Sequence, residues 1–245
     1  MLARLIRGNQ PCVALTGAGV STESGIPDFR SPTGLWAEFD PLEYASLPAF
    51  REDPRKVWRF YKPRIAMLAA AEPNAGHRAL AALERAGLVE AVVTQNIDVL
   101  HERAGSRNVV EVHGSIRTAS CPRCGASYER DAVVALLADA DAPECAGCEA
   151  VLKPDVVFFG ELLPASAIER AIELARRAAL LLVVGSALEV HPVAGLPEKT
   201  LEAGGRLAIV NKGSTPYDER ADLKLEGNAG EILGAAAEEL VGLAD

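Results

Sequence analysis

The chain has 245 residues, 49% of them hydrophobic, and a formal net charge of −9 at pH 7. That length and apolar content suit one large α/β domain with a small inserted module, and no apolar run reaches the roughly 20 residues of a membrane helix. The acidic balance argues against nucleic-acid binding, which depends on a basic surface, and is compatible with basic protein partners. Because residues 1–7 are too short and too charged for a signal peptide, we expect a cytoplasmic protein with no membrane partner.

A polar, glycine-containing segment at residues 17–30 follows the apolar run 12–15, which predicts a buried strand. Gly17 and Gly19 would let the backbone approach a pyrophosphate, and a helix after the turn would offer free N–H groups and its positive dipole end. The third glycine of the usual dinucleotide-binding pattern is missing, so an ordinary strand-to-helix turn is the alternative. A ligand site is favoured by polar residues that could not be buried without partners, namely Ser21, Ser24, Asp28 and Arg30.

Strand-like apolar runs alternate with helical patterns along most of the remaining chain. The predicted strands are 89–94, 109–112, 180–184, 207–210 and 223–225, and the predicted helices are 77–86, 165–178, 196–203 and 230–243. This alternation predicts an α/β fold, in which a mostly parallel sheet carries helices on both faces. Ligands bind at the carboxyl ends of such strands, so one crevice should be lined by the residues that follow them: Gly17, Gln95, His113, Gly185 and Asn211.

Two stretches depart from this alternation and predict a second, smaller lobe. Residues 35–75 contain scattered aromatic residues and a helical pattern, and residues 117–154 contain four of the five cysteines. We therefore expect a small domain built from 35–75 and 117–154, and a large domain built from 1–34, 76–116 and 155–245.

The four cysteines of the second stretch form two C-x-x-C pairs, Cys121 with Cys124 and Cys145 with Cys148. Four thiolates match the tetrahedral preference of zinc and leave no open coordination position, so the predicted metal is structural. A redox role would leave one pair superfluous, and a disulfide framework is atypical of a cytosolic chain. The fifth cysteine, Cys12, is predicted to be a small buried apolar residue.

His113 is the candidate general base. It follows the predicted strand 109–112 and precedes Gly114, which places it at the mouth of the crevice. An imidazole can take and return a proton near neutral pH, although a lone histidine is more often structural than catalytic.

Polar side chains also follow the strand at 89–94. Gln95, Asn96 and Asp98 offer amide and carboxyl groups that could fix an amide-bearing ligand and the hydroxyls of a ribose. The alternative is an Asx-type helix cap at Asn96 or Asp98. Small and polar residues follow two further strands, at 185–186 and 211–213.

Together these motifs resemble those of the sirtuins, the NAD-dependent protein deacylases, over essentially the whole chain. They stand in the family's order: 17–30 (GAGVSTESGIPDFR), 94–98 (TQNID), 113–114 (HG), the two cysteine pairs, 156–161 (VVFFGE), 185–190 (GSALEV), Asn211 and 227–229 (GNA). The resemblance implies a Rossmann-like sheet, NAD as co-substrate, one structural zinc, and acyl-lysine proteins or peptides as substrates.

The resemblance also implies which residues bind NAD. They are Gly17, Ala18, Gly19, Glu23, Phe29, Arg30, Trp36, Gln95, Asn96, Ile97, Asp98, Gly185, Ser186, Ala187, Asn211, Lys212, Gly213 and Ala229. His113 would deprotonate a ribose hydroxyl, while Asn96 and Asp98 would hold the nicotinamide and its ribose. Ala187 departs from the pattern, because many relatives have a hydroxyl there, and this puts one cofactor hydrogen bond in question.

By the same resemblance, the substrate peptide would pair as an added strand with residues 157–161, including Val157 and Phe159. Tyr61 and Arg64 resemble the Tyr-x-x-Arg pair of the sirtuin class that removes succinyl and malonyl groups. Three residues apart on a helix, a phenol and a guanidinium could bind the distal carboxylate of such groups. The alternative is a surface arginine beside a core tyrosine, and Pro63 between them removes a helix N–H.

The implied reaction removes acyl groups from lysine and yields nicotinamide, O-acyl-ADP-ribose and free lysine. Plain deacetylation and mono-ADP-ribosyl transfer to protein are alternatives at the same cofactor site. A non-catalytic NAD sensor is the non-enzyme alternative, but a sensor would not need the base His113.

Overall fold

The structure, a computed structural model, describes residues 1–29, 31–32 and 34–242. Arg30, which the resemblance assigns to the cofactor, lies outside the described residues. The strands are β1 (Cys12–Thr16), β2 (Ala91–Thr94), β3 (Val109–Glu111), β4 (Gly114–Ser120), β5 (Ser127–Glu129), β6 (Lys153–Val156), β7 (Leu180–Val184), β8 (Arg206–Val210) and β9 (Leu223–Leu225).

The α-helices are α1 (Leu2–Gly8), α2 (Leu35–Glu38), α3 (Pro41–Tyr44), α4 (Leu47–Glu52), α5 (Pro54–Ala70), α6 (Ala75–Arg85), α7 (Leu100–Arg103), α8 (Arg130–Ala138), α9 (Ala165–Arg177), α10 (Leu196–Glu202) and α11 (Ala229–Val241). Short 3₁₀ helices span Ala18–Ser24, Val193–Gly195 and Asp218–Arg220. No helix in the described ranges is long and apolar enough to cross a bilayer.

The large sheet has the strand order β3-β2-β1-β7-β8-β9, and every neighbouring pair is parallel. Its strands are almost wholly apolar because helices cover both faces. Leu80 of α6 and Leu233 of α11 pack on one face, and Leu174 of α9 and Leu196 of α10 pack on the other. The predicted Rossmann-like fold is therefore confirmed.

The smaller lobe combines α2 to α5 with the antiparallel sheet β5-β4-β6 and α8. The two chain segments share one core around Trp58, whose indole N–H donates to the carbonyl oxygen of Leu152 at 2.6 Å. Asp53 caps α5 by accepting from the backbone N–H of Lys56, and the helix continues through Pro63. The predicted combination of a helical insertion with a four-cysteine module is present.

The helix predicted after β1 is present as a 3₁₀ helix that begins directly after Gly17. A side chain at Gly17 or Gly19 would lie only 2.7 Å from backbone atoms of Gly185. Both glycines are required because the loops after β1 and β7 touch through their backbones. Their small size thus serves the packing of two loops, whatever ligand the loops also contact.

Candidate active site

The predicted crevice forms where the parallel strands of the large sheet end. Thr16 of β1 is paired with Thr94 of β2 and with Val184 of β7, so the segments that follow these strands lie side by side. Predicted cofactor residues that the structure gathers here are Gly17, Ala18, Gly19, Gln95, Asn96, Ile97, Asp98, Gly185, Ser186 and Ala187. The side-chain amide of Gln95 donates to the Ser186 hydroxyl at 2.9 Å and so links two of these segments.

Ser21 is the centre of a buried polar network at the floor of the crevice. Its hydroxyl donates to Asp98 Oδ2 at 2.7 Å and accepts from Asn96 Nδ2 at 3.0 Å. Asp98 Oδ1 accepts from the backbone N–H of Leu100 at 3.0 Å. Both carboxylate oxygens of Asp98 are therefore oriented by the protein, and each retains the capacity to accept one more hydrogen bond from a ligand.

His77 completes this network from the first turn of α6. The backbone N–H of Asn74 donates to His77 Nδ1, which leaves Nε2 to carry the hydrogen, 3.4 Å from the Ser21 hydroxyl. Burial lowers the pKa of His77 to about 4, against an opposing effect of the nearby Asp98 charge. The His77 ring is therefore neutral at physiological pH.

A second buried histidine, His101, packs against His77. The His101 and His77 ring centroids are 4.8 Å apart. His101 Nε2 is 2.9 Å from the Thr16 hydroxyl, which itself donates to Thr94 Oγ1 at 2.8 Å. Burial also lowers the pKa of His101 well below its usual value, so the floor holds two uncharged imidazoles.

His113 stands at the edge of this crevice, after β3. Its Nδ1 is 3.1 Å from the carbonyl oxygen of Gln95. A carbonyl only accepts, so Nδ1 carries the hydrogen and Nε2 is the nitrogen able to take a proton. Gln95, in the segment after β2, thus fixes the tautomer of His113 that a general base requires.

The remaining predicted cofactor residues lie around the rim. Glu23 accepts from the backbone N–H of Gly230 at 2.7 Å and so joins the first loop to the start of α11, beside Ala229. Asn211 follows β8 and donates to the carbonyl oxygen of Gly213 in the exposed loop that contains Lys212. The rings of Phe29 and Trp36 stack at 5.3 Å.

The predicted peptide-binding segment, residues 157–161, is held by backbone bonds on two sides. Val157 N–H donates to the carbonyl oxygen of His113 at 2.8 Å, and Phe159 N–H donates to that of Ala45 at 2.8 Å. The Phe159 side chain is exposed and its ring meets Trp36 edge-on at 6.2 Å. The segment therefore lies directly beside the candidate base.

Tyr61 and Arg64 both lie on α5 in the smaller lobe. The Tyr61 ring packs 5.6 Å from the Phe158 ring, and burial raises the pKa of its hydroxyl, which stays protonated. The Arg64 guanidinium lies 3.6 Å from the centre of the Phe60 ring and 4.7 Å from that of Phe39. Within the described ranges, no carboxylate forms an ion pair with Arg64, and its buried Nε has no hydrogen-bond partner.

The four cysteines of the small lobe meet at one point. Their sulfur atoms all lie within 4.8 Å of one another, with Cys121 to Cys148 at 3.4 Å and Cys124 to Cys145 at 3.6 Å. Zinc bound tetrahedrally at about 2.3 Å requires sulfur separations of about 3.8 Å, so the cluster fits the predicted structural zinc. The Tyr128 hydroxyl donates to Cys145 Sγ at 3.4 Å and accepts from the backbone N–H of Ala146 at 2.8 Å.

Replacing Cys145 with serine is expected to reduce bound zinc from one per chain to well below one and to lower the thermal unfolding temperature, because metal binding contributes to folding. Metal analysis and thermal unfolding of the purified protein measure both effects. Cys12→Ala, which removes the cysteine outside the cluster, should keep its zinc. A folded, fully active and metal-free Cys145→Ser protein would contradict the assignment.

Fold and site together define an enzyme of the dinucleotide-binding α/β class. Residues 17–192 match the Sir2 family model. The chain is 46% identical over 239 residues to NAD-dependent protein deacylase 2 of Pyrobaculum aerophilum, covering 98% of this chain and 94% of the relative. It is 44% identical over 235 residues to the NAD-dependent protein deacetylase of Thermotoga maritima, covering 96% and 95%.

The fold also matches a solved structure of a Sir2 variant with deacetylated p53 peptide and 3′-O-acetyl ADP-ribose. The TM-score is 0.94 at 42% identity, over 99% of this chain and 98% of that one. The chain belongs to the Sir2 family, the sirtuins, and is an enzyme of that family. The prediction of NAD as its co-substrate is confirmed.

Sequence reasoning did not assign Ser21, His77 or His101 to the site. Ser21 was visible as part of the polar segment after β1, but its partners are 56 to 77 residues away in the chain. His77 carried a local signal, since it forms a capping box with Asn74 at the start of α6. Such a cap gives no sign that the second ring nitrogen, Nε2, points to a site.

Proposed function

We propose that this chain is an NAD-dependent protein-lysine deacylase that acts on succinyl- and malonyl-lysine as well as acetyl-lysine. The observation that carries the catalytic part is the His113–Gln95 hydrogen bond, which fixes a basic imidazole nitrogen at the crevice. The named activities of the relatives support the same reaction.

In the proposed mechanism, NAD supplies a ribose carbon from which nicotinamide can leave when the acyl oxygen of the lysine attacks. The network of Ser21, Asn96 and Asp98 binds the nicotinamide end, with Asp98 oriented to accept from the carboxamide. His113 Nε2 would take a proton from a ribose hydroxyl, which attacks the acyl carbon. A water molecule would then supply the oxygen that replaces the one left on the ribose carbon, and the lysine amine would leave. Neutral His77 and His101 keep positive charge away from the position of the leaving nicotinamide.

The proposal for acidic acyl groups rests on the surroundings of Arg64. The Arg64 guanidinium lies against the rings of Phe60 and Phe39, donates from Nη1 to the carbonyl oxygen of Phe60, and forms no ion pair with a carboxylate of the described residues. An acyl chain that ends in a carboxylate would supply the missing partner and form a charge-assisted bond. The protonated Tyr61 hydroxyl on the same helix can donate to that carboxylate.

The proposal for peptide binding rests on the backbone of residues 157–159. All three N–H groups are already bonded within the chain, whereas no hydrogen bond from the described residues reaches the carbonyl of Val157. An extended peptide could therefore donate to that carbonyl and lie along the segment as an added strand. Recognition through the backbone would tolerate many sequences around the acyl-lysine.

The test is turnover of peptides that differ only in the acyl group, with acetyl-, succinyl- and malonyl-lysine at the same position. We expect NAD-dependent release of nicotinamide and of O-acyl-ADP-ribose, with higher kcat/KM for the acidic acyl groups. ADP-ribose attached to the protein substrate, without loss of the acyl group, would instead show mono-ADP-ribosyl transfer. NAD binding without any turnover would indicate a sensor.

A further inference from the structure

Lys153, at the start of β6, has a largely buried side chain, which is energetically costly for a lysine. Its side chain is only 18% exposed, and the ammonium lies 4.1 Å from the centre of the Phe158 ring. Removing most of the water from an ammonium is unfavourable unless acceptors replace it. The neighbourhood of Lys153 supplies those acceptors.

Two backbone oxygens and one carboxylate surround the ammonium. It donates to the carbonyl oxygens of Pro154 at 3.0 Å and Val156 at 2.8 Å, and it forms an ion pair with Glu161 Oε2 at 3.0 Å. The bonds to Pro154 and Val156 hold the ammonium at the end of β6, where residues 157–161 begin. The ion pair with Glu161 reaches the far end of the same segment.

Glu161 also bonds to Phe158, through both its side chain and its backbone. Its Oε2 also accepts from the backbone N–H of Phe158 at 2.8 Å, and its backbone N–H donates to the Phe158 carbonyl at 3.0 Å. Phe158 is thereby fixed in the middle of the segment, with its ring against the Tyr61 ring. The ion pair thus adds a side-chain restraint on Phe158 and Glu161 to the backbone bonds that hold Val157 and Phe159.

We propose that Lys153 and Glu161 are positioning residues that hold the segment 157–161 in the conformation that accepts a substrate peptide. This proposal rests on the proposed function, because it assigns the peptide to that segment. Neither side chain takes part in the proton transfer or in the contacts to NAD assigned above. Loss of the ion pair should therefore weaken peptide binding and leave cofactor binding unchanged.

The experiment measures KM for an acyl-lysine peptide, KM for NAD, and kcat, in Lys153→Met and Glu161→Gln. We expect the peptide KM to rise about ten-fold or more, since hydrogen bonds to a charged group are lost, while the NAD KM stays within about two-fold. The kcat at saturating peptide should change by no more than a few-fold. Lys199→Met, which removes an exposed lysine paired with Glu202 on α10, is the matched control and should leave all three constants unchanged.

Two further measurements separate this role from general destabilisation. The double variant Lys153→Met/Glu161→Gln should raise the peptide KM no more than the worse single variant, because each single change already breaks the pair. Thermal unfolding and zinc content identify a variant that fails to fold, and in that case the milder Glu161→Gln decides the question.

The outcomes are distinguishable. An unchanged peptide KM in folded Lys153→Met and Glu161→Gln would overturn the inference, as would a parallel rise in the KM for NAD. A wild-type protein that turns over no acyl-lysine peptide would instead overturn the proposed function on which the inference rests.

Discussion

Replacing His113 with alanine is expected to lower kcat for deacylation by about 10²–10⁴-fold, the usual cost of losing a general base. The effect should be confined to chemistry, because the ring meets the protein through Nδ1 and the Gln95 carbonyl, while the network that would bind nicotinamide lies around Ser21. Initial rates at saturating NAD and peptide measure kcat. Direct titration with NAD should give a Kd within a few-fold of the wild-type value.

The variant His113→Asn tests whether His113 acts as a base or only positions the Gln95 segment. Asparagine keeps an N–H that can donate to Gln95 but has no nitrogen that accepts a proton, so it should be as inactive as alanine. An active His113→Asn protein would mean that His113 only positions the Gln95 segment. Near-normal turnover by both variants would place the base at another residue.

Replacing Arg64 with methionine is expected to reverse the preference among acyl groups. Methionine retains an unbranched stem against the rings of Phe39 and Phe60 but removes the charge that a succinyl carboxylate would meet. Loss of one partner of a desolvated charge pair typically costs roughly 2–5 kcal/mol, so kcat/KM for succinyl-lysine should fall steeply. Acetyl-lysine has no carboxylate, and its turnover should hold or improve.

The measurement is the ratio of kcat/KM for succinyl- to acetyl-lysine peptides before and after substitution. Tyr61→Phe provides a graded control, because it removes only the hydroxyl and should reduce the ratio by less than Arg64→Met. If the ratio is unchanged in both variants, Tyr61 and Arg64 lie outside the acyl pocket and plain deacetylation is the better description.

Features encoded by local patterns were the ones that the sequence predicted well. Apolar runs predicted the buried strands of the large sheet. The spacing of four cysteines predicted the zinc cluster, which contains Cys121, Cys124, Cys145 and Cys148. The crevice followed from the rule that parallel strands share one carboxyl edge. The domain boundaries and the cytoplasmic location stay predictions.

Features that depend on distant side chains could not be predicted in the same way. No local pattern shows that His77 faces Ser21, or that the Arg64 guanidinium packs against Phe39 and Phe60, since side-chain direction is decided by tertiary packing. The sequence predicted a helix after Gly17 but not its 3₁₀ form. This helix packs closely against the backbone of Gly185, which follows β7 more than 160 residues later.

The pairing of β4 with β6 joins the candidate base to the segment proposed to bind the peptide. This pairing begins at Gly114 opposite Val156, immediately beside the bond from Val157 N–H to the His113 carbonyl. Only glycine fits at 114, because a side chain there would lie 2.2 Å from the carbonyl oxygen of Asp155. The chain thus crosses between the lobes twice at one point, and these two crossings carry the base and the segment proposed to bind the peptide. The base and the peptide segment are therefore held beside each other, and the bond from His113 to Gln95 ties both to the strand ends that form the crevice.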